Sequence, residues 1–247
     1  MASRKDGVVF KFVNYSLKAL LQVFFAAWFW RDRKLKENVQ RTITLYKKDG
    51  FASLFTRIRF WDAPFEELEE LTPKEGVIID LGCGDGILTN YLALGGPKRK
   101  LVGIELNRER LEVADKGLPN TEFILGDVTK RSIPNADAIL TVHLLHHLPS
   151  YAAQEELIQL CSKKLKDGGS LIVAEVDRKP FLKYLFSWVT DAIIVPMLFE
   201  KKFFSTKFFY RSADEWKELF TRNGFRVKTT EAHKGKPFSH IIFECEI

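Results

Sequence analysis

The sequence predicts an α/β protein: a mostly parallel sheet with helices on both faces, a C-terminal antiparallel hairpin and an N-terminal helical extension. Three observations predict it. Between Val77 and Val176, short apolar runs of strand length alternate with helix-length segments. Runs that are apolar on both faces belong in a parallel sheet covered by helices. The first of them ends in a glycine-rich turn, and the last two strand-like segments are joined through the turn residues Gly235-Lys-Pro237.

The elements follow in order. Residues 8–30 are strongly apolar and lead into the basic run 31–36. Their uninterrupted core, Ala19–Trp30, is 12 residues long and as a helix reaches roughly 18 Å, short of the ~30 Å of a bilayer's hydrocarbon. Extending it back to Phe12 encloses Lys18 and Asn14. No small-x-small cleavage signal follows Trp30. An interfacial helix is the preferred reading; a helix packed on its own domain or on a partner subunit, or a true span, are the alternatives. Residues 37–71 read as further helices. The last has Asp62 as its cap, Pro64 in its first turn and glutamates facing its N-terminal dipole. Residues 1–71 are therefore one extension, and 72–247 the main domain.

In that domain Val77–Leu81 reads as a buried strand, Ile87–Leu94 as a helix, Leu101–Glu105 as a strand and Arg108–Gly117 as a helix. Strands follow at Glu122–Leu125 and Ala138–Val142, then a helix at Gln154–Leu165 ending at Asp167-Gly-Gly169, and a strand at Ser170–Val176. Near the end come a helix at Ala213–Asn223 with Gly224 as its stop, and strands at Phe225–Ala232 and His240–Ile247.

At 247 residues, 46% hydrophobic and 28% charged, the chain has the makings of a real core. Cys83, Cys161 and Cys245 are scattered with no CxxC pair, so neither a zinc site nor a disulfide framework is expected, and reduced thiols in the cytoplasm fit. The charge is uneven. Residues 1–60 carry 13 Lys/Arg against 4 Asp/Glu, and residues 178–211 carry 7 against 2, which leaves the remainder acidic. Of the 21 phenylalanines, 16 lie in 1–65 or 181–209. Basic charge and aromatic side chains thus share two segments.

The turn after the first strand is Asp80-Leu-Gly-Cys-Gly-Asp-Gly86. Gly82, Gly84 and Gly86 allow tight turns and close approach of a ligand to the backbone. The spacing is GxGxG, with Ile87 where a dinucleotide fingerprint needs glycine. Asp80 and Asp85 would repel a pyrophosphate and suit a ligand carrying an ammonium group. This segment resembles motif I of the class I S-adenosylmethionine-dependent methyltransferases, and further motifs of that family follow in register. Glu105 ends the next strand, Asp127 closes Phe123-Ile-Leu-Gly-Asp127, and Ala136–Pro149 carries a His-His-Leu-Pro ending. The resemblance covers about residues 75–177. It implies a Rossmann-like fold with a seven-stranded sheet and S-adenosyl-L-methionine as cofactor. It further implies Asp80 at the methionine part, with Gly82, Cys83, Gly84 and Gly86 along it. Glu105 and Leu106 would stand at the ribose, Asp127 and Val128 at the adenine, and the backbone of Thr141 and Val142 near the amino group.

Methyl transfer from a sulfonium is an in-line displacement, so positioning matters most, and a base only where the acceptor must lose a proton. His143, His146, His147, Glu175 and Asp177 stand at the ends of the fourth and fifth strands. His143 departs from the family motif and is expected as a base or acceptor-orienting group; His146 and Glu175 are further candidates. No metal site is expected. Residues 178–211 fall where this family inserts a substrate-covering element. Their composition suits a lipophilic acceptor and an anionic membrane surface, with a lid or homodimer surface as the alternative. The expected function is methylation of a lipophilic small molecule or lipid at the cytoplasmic face of a membrane, as in quinone-biosynthesis and phospholipid methyltransferases. An RNA methyltransferase would also be basic, but no RNA-binding module or Asn/Asp-Pro-Pro-aromatic motif is present, so no nucleic-acid partner is expected. A non-catalytic membrane adaptor on a vestigial fold is the remaining alternative.

Overall fold

A computed structural model describes residues 4–29, 35–130 and 132–247. The basic run expected at 31–36 lies mostly outside them.

Seven strands form one sheet: β1 (Glu75–Leu81), β2 (Lys98–Glu105), β3 (Thr121–Leu125), β4 (Ala136–Val142), β5 (Leu165–Val176), β6 (Arg226–Glu231) and β7 (His240–Glu246). Their order is β3-β2-β1-β4-β5-β7-β6. The first five are parallel, and β7 enters antiparallel between β5 and β6. The parallel strands carry the uninterrupted apolar runs, such as Val77-Ile-Ile79, because both of their faces are covered. Ile79, Leu81 and Val173 pack into one core cluster, and Ile78, Leu140 and Ile172 into the other. Parallel strands all end at one edge, and the order reverses between β1 and β4, the place where such sheets bind ligands.

The helices are, in chain order, α1 (Arg4–Phe29), α2 (Glu37–Leu45), α3 (Phe51–Asp62), α4 (Phe65–Leu71), α5 (Ile87–Gly95), α6 (Arg108–Ala114), α7 (Tyr151–Lys164) and α8 (Phe181–Val189). After α8 two π-helical stretches carry the same helix on, Phe181–Glu200 in all. Among the described residues it is the helix long and apolar enough to cross a membrane by length and composition. Helix α9 (Ala213–Arg222) has a capping box between Ser212 and Glu215.

Two local expectations need correction. Asp62 caps nothing: it ends α3 at 5% exposure, held by Arg59, and Pro64 is the residue before α4. Its carboxylate finds a full charge one turn back and so has no need of the next helix's N–H groups. The Asp167-Gly-Gly169 segment does not stop α7, which ends at Lys164; it bulges within β5, whose pairing with β4 passes from Leu165 to Ser170.

Candidate active site

Gly82, Gly84 and Gly86 all adopt left-handed φ, between +58° and +70°. At Gly84 a Cβ would strike the Arg110 guanidinium, and at Gly86 it would meet Ala114 and the Phe123 ring. Only glycine leaves this backbone bare. Behind it, Glu105 accepts hydrogen bonds from Gly84 N (2.9 Å) and Asn107 N (2.8 Å), fixing the loop to the end of β2. Asp80 is 2% exposed and accepts from Thr89 Oγ1 at 2.6 Å. Burial raises its pKa to about 7, against the pull of the Thr89 bond. A carboxyl in that position gains from a cationic partner.

The loop opens into a cavity of about 500 Å3. Asp80, Gly82, Cys83, Gly84, Val142, His143, His146 and His147 line it, while α1, α3 and the Phe181–Glu200 helix supply Phe25, Phe55, Phe186 and Leu198. Several of the sequence-predicted residues stand apart from this lining, Gly86 of the loop among them. Glu105, Val128 and Thr141 are buried, Leu106 is exposed, and Asp127 accepts from the Thr129 amide and hydroxyl. Glu175 is fully buried: it is neither a solvated strand end nor a wall of the cavity, but accepts from Leu145 N and meets His146 Nδ1 at 2.5 Å. Asp177 caps the approach to α9 by accepting from Ala213 N.

Two polar chains reach the cavity. In the first, Arg59 donates to both Asp62 oxygens at 3.1 Å and to His143 Nδ1 at 3.2 Å. A guanidinium can only donate, so His143 Nδ1 accepts and its Nε2–H donates to His240 Nδ1, 3.0 Å away. His143 sits at φ +52°, a left-handed conformation costly for a side-chain-bearing residue and concentrated at functional sites. Burial, with His240 and Arg59 alongside, keeps its pKa well below 6.5, while burial raises that of Asp62 to about 6 despite Arg59. With both ring nitrogens engaged, His143 has no free lone pair with which to take a proton.

In the second chain, His146 lies between Glu175 and Asp191. Its Nε2 is 3.4 Å from Asp191 Oδ2, without hydrogen-bond geometry, and Tyr210 donates to the same Oδ2 at 2.5 Å. Burial opposes charge on His146, but Glu175 and Asp191 outweigh it and hold its pKa up to about 10. Burial, with His146 beside it, pushes His147 down to about 3.

Arg59, Arg110 and Asp191 carry much of this arrangement and were missed by sequence reasoning. Arg110 pairs with Asp85 at 2.7 Å and stacks on Phe199 of the roof at 4.5 Å. Only the i,i+3 spacing of Arg59 and Asp62 gave any local signal. A broader cleft of about 880 Å3, on the far side of Arg110, is lined by Lys11, Lys18, Asn107 and Lys201.

A bare glycine turn at the end of β1, an acid at its start and a second acid at the end of β2 define a class I methyltransferase. The sequence model of a methyltransferase-domain family matches residues 53–230, and the chain belongs to that family. It is 35% identical over 128 residues to an uncharacterized methyltransferase of Bacillus cytotoxicus, covering 49% of this chain and 59% of that one. To the ubiquinone biosynthesis O-methyltransferase of Burkholderia vietnamiensis it is 31% identical over 161 residues, covering 57% and 67%. The chain thus spans about three-fifths to two-thirds of the length of these relatives. Among solved structures, human N-acetylserotonin methyltransferase in complex with SAM superposes with a TM-score of 0.58 at 21% identity, over 81% of this chain and 57% of that one. The DhpI–SAH complex superposes at 0.60 and 19%, over 84% and 95%. At such identity these likenesses show the fold. The methyl donor is S-adenosylmethionine, and the residues fit it: a bare backbone turn, a buried carboxyl at Asp80 for a cationic group, and Glu105 with lone pairs to spare for hydroxyls.

Proposed function

We propose that the protein methylates a lipophilic acceptor held in the cavity between the glycine loop and the roof formed by α1, α3 and the Phe181–Glu200 helix. When bound, the cofactor supplies an electrophilic methyl group. Asp80 and Glu105 hold the donor; Arg59 and Asp62 lock His143, which orients the acceptor; and the aromatic walls exclude water, leaving positioning as the main contribution.

One observation carries this reading. The helices that wall the cavity also expose large apolar side chains outward: Phe12, Leu20 and Val23 on α1, and Phe181, Leu182 and Leu185 on α8. The segment that follows α8 meets α1 through Phe203 against Phe10, rings 5.2 Å apart, and through Met197 O, which accepts from Asn14. Exposed apolar area on this scale marks an interaction surface, and the neighbouring Lys11, Lys18 and Lys201 suit anionic head groups. A lipophilic acceptor would then reach the donor without crossing water. The surface fits peripheral attachment more than a span, since Ser187, Ala192 and Pro196 on the inner face of the Phe181–Glu200 helix are buried. Relatives named as ubiquinone biosynthesis O-methyltransferases favour a quinone-type acceptor methylated at oxygen. The test is turnover of labelled cofactor against total lipid extract, RNA and protein. Label in the lipid fraction is expected; label confined to RNA or protein refutes the reading.

A further inference from the structure

The polar chain Glu175–His146–Asp191 reaches the cavity wall at His146 and Asp191 and has no place in the mechanism above. His146 Nδ1 is 2.5 Å from Glu175 Oε2, close enough to fix the ring and its protonation at that nitrogen. The other nitrogen, Nε2, is fully buried, lacks a hydrogen-bond partner and faces Asp191 Oδ2 at 3.4 Å. One ligand atom each from His146, His147 and Asp191 lie within 4.8 Å of one another.

We propose that His146, His147 and Asp191 bind a divalent transition-metal ion of the zinc class. Bonds of about 2.0–2.2 Å to tetrahedrally disposed N and O ligands place neighbouring ligand atoms about 3.3–3.5 Å apart, which is the spacing found between Nε2 and Oδ2. Imidazole and carboxylate donors suit such an ion better than magnesium or calcium. The outer partners are those of a metal site as well: a ligating histidine gives its other N–H to a carboxylate, here Glu175, and the ligating carboxylate is itself held, here by the Tyr210 hydroxyl. Glu175 is in turn anchored by Leu145 N at 2.8 Å and Val176 N at 3.2 Å.

Charge points the same way. Two carboxylates flank one imidazole in a largely buried setting. Glu175 and Asp191 bring two negative charges into this setting, and uncompensated buried charge is costly. A divalent ion brings the two carboxylates and the ion to zero. Asp191 stands in the π-helical stretch Thr190–Ile194, a geometry often found at functional sites. All three ligand residues line the cavity, so the fourth position is open to a small oxygen donor, water or an acceptor hydroxyl. Only that last clause rests on the acceptor reading; the ion site stands if the lipid assay fails.

The experiment is equilibrium dialysis of the full-length protein against Zn2+ alone and Mg2+ alone, with Co2+ as a spectroscopic substitute. One Zn2+ per chain is expected, with little Mg2+, and a Co2+ spectrum of four- or five-coordinate nitrogen and oxygen ligation without a thiolate charge-transfer band. His147→Gln and Asp191→Asn should each weaken Zn2+ binding by about 100-fold or more, and Glu175→Gln, which removes an outer partner, by about 10- to 100-fold. Melting curves show whether each variant is folded, and the wild-type Co2+ spectrum is decisive if one is not. Absence of stoichiometric Zn2+ binding, variants that bind as wild type, or a thiolate band would overturn the assignment.

Discussion

At the scale of single residues, the donor side makes the sharpest predictions. Asp80→Ala and Glu105→Ala should each weaken cofactor binding by about 1–3 kcal/mol, the worth of a charge-assisted hydrogen bond; calorimetry showing wild-type affinity for both would remove the assignment. The pH dependence has a definite sign. The Asp80 pKa is raised to about 7 by burial, so below that value the carboxyl is protonated and offers a cationic group little. Affinity for the demethylated cofactor should therefore rise as pH passes upward through about 7, and Asp80→Asn should abolish that rise. On the acceptor side, Arg59 occupies the His143 lone pair. His143→Ala should lower turnover, leave cofactor affinity nearly unchanged and remove no pH limb near 6.5. Equal turnover in variant and wild type would reduce the ring to packing.

At the scale of elements, the Phe181–Glu200 helix is the one to test. Its outward residues Phe181, Leu182 and Leu185 are 42–77% exposed, and replacing all three with glutamate removes apolar area while adding repulsion from anionic lipid. The variant should float with vesicles much less than wild type and bind cofactor equally well; undiminished flotation would leave the helix as a lid or a subunit interface. How much could be read from sequence also divides by element. The strand–loop–helix units were legible because their signals are local: glycines where φ is positive, apolar runs where both faces are covered. The ends of β2 and α6 moved by a few residues, since Lys98–Lys100 pairs with β1 despite its charge and α6 stops at Ala114. The polar chains of the site were legible only in their strand-end members. His143 announced itself by departing from its motif, but its partners Arg59 and His240, and the Asp191 that faces His146, come from elements far apart in the chain, where no spacing rule connects them.

At the scale of the whole molecule, ligand binding should appear as stability. A ligand at 100 times its dissociation constant adds about 2.7 kcal/mol to the folded state, which for a domain of this size is roughly 5–10 °C in Tm. S-adenosylmethionine and its demethylated product should give such a shift in a thermal melt and NAD none, because the loop has Ile87 where a dinucleotide fingerprint needs glycine and presents carboxylates where a pyrophosphate would lie. A shift with NAD would contradict the reading of the loop. The sheet should also hold the proposed donor site independently of the roof, since Asp80 and Glu105 belong to β1 and β2, whose Ile79, Leu81, Val102 and Ile104 join the central core.

That division of labour has a consequence for descent. The donor half is built from neighbouring strands whose geometry tolerates little change, whereas the roof comes from an N-terminal helix and an insertion that meet it through side-chain packing. Mutations in the roof can accumulate without disturbing donor binding, so related chains are free to diverge in what they methylate while inheriting one unaltered way of holding the methyl group.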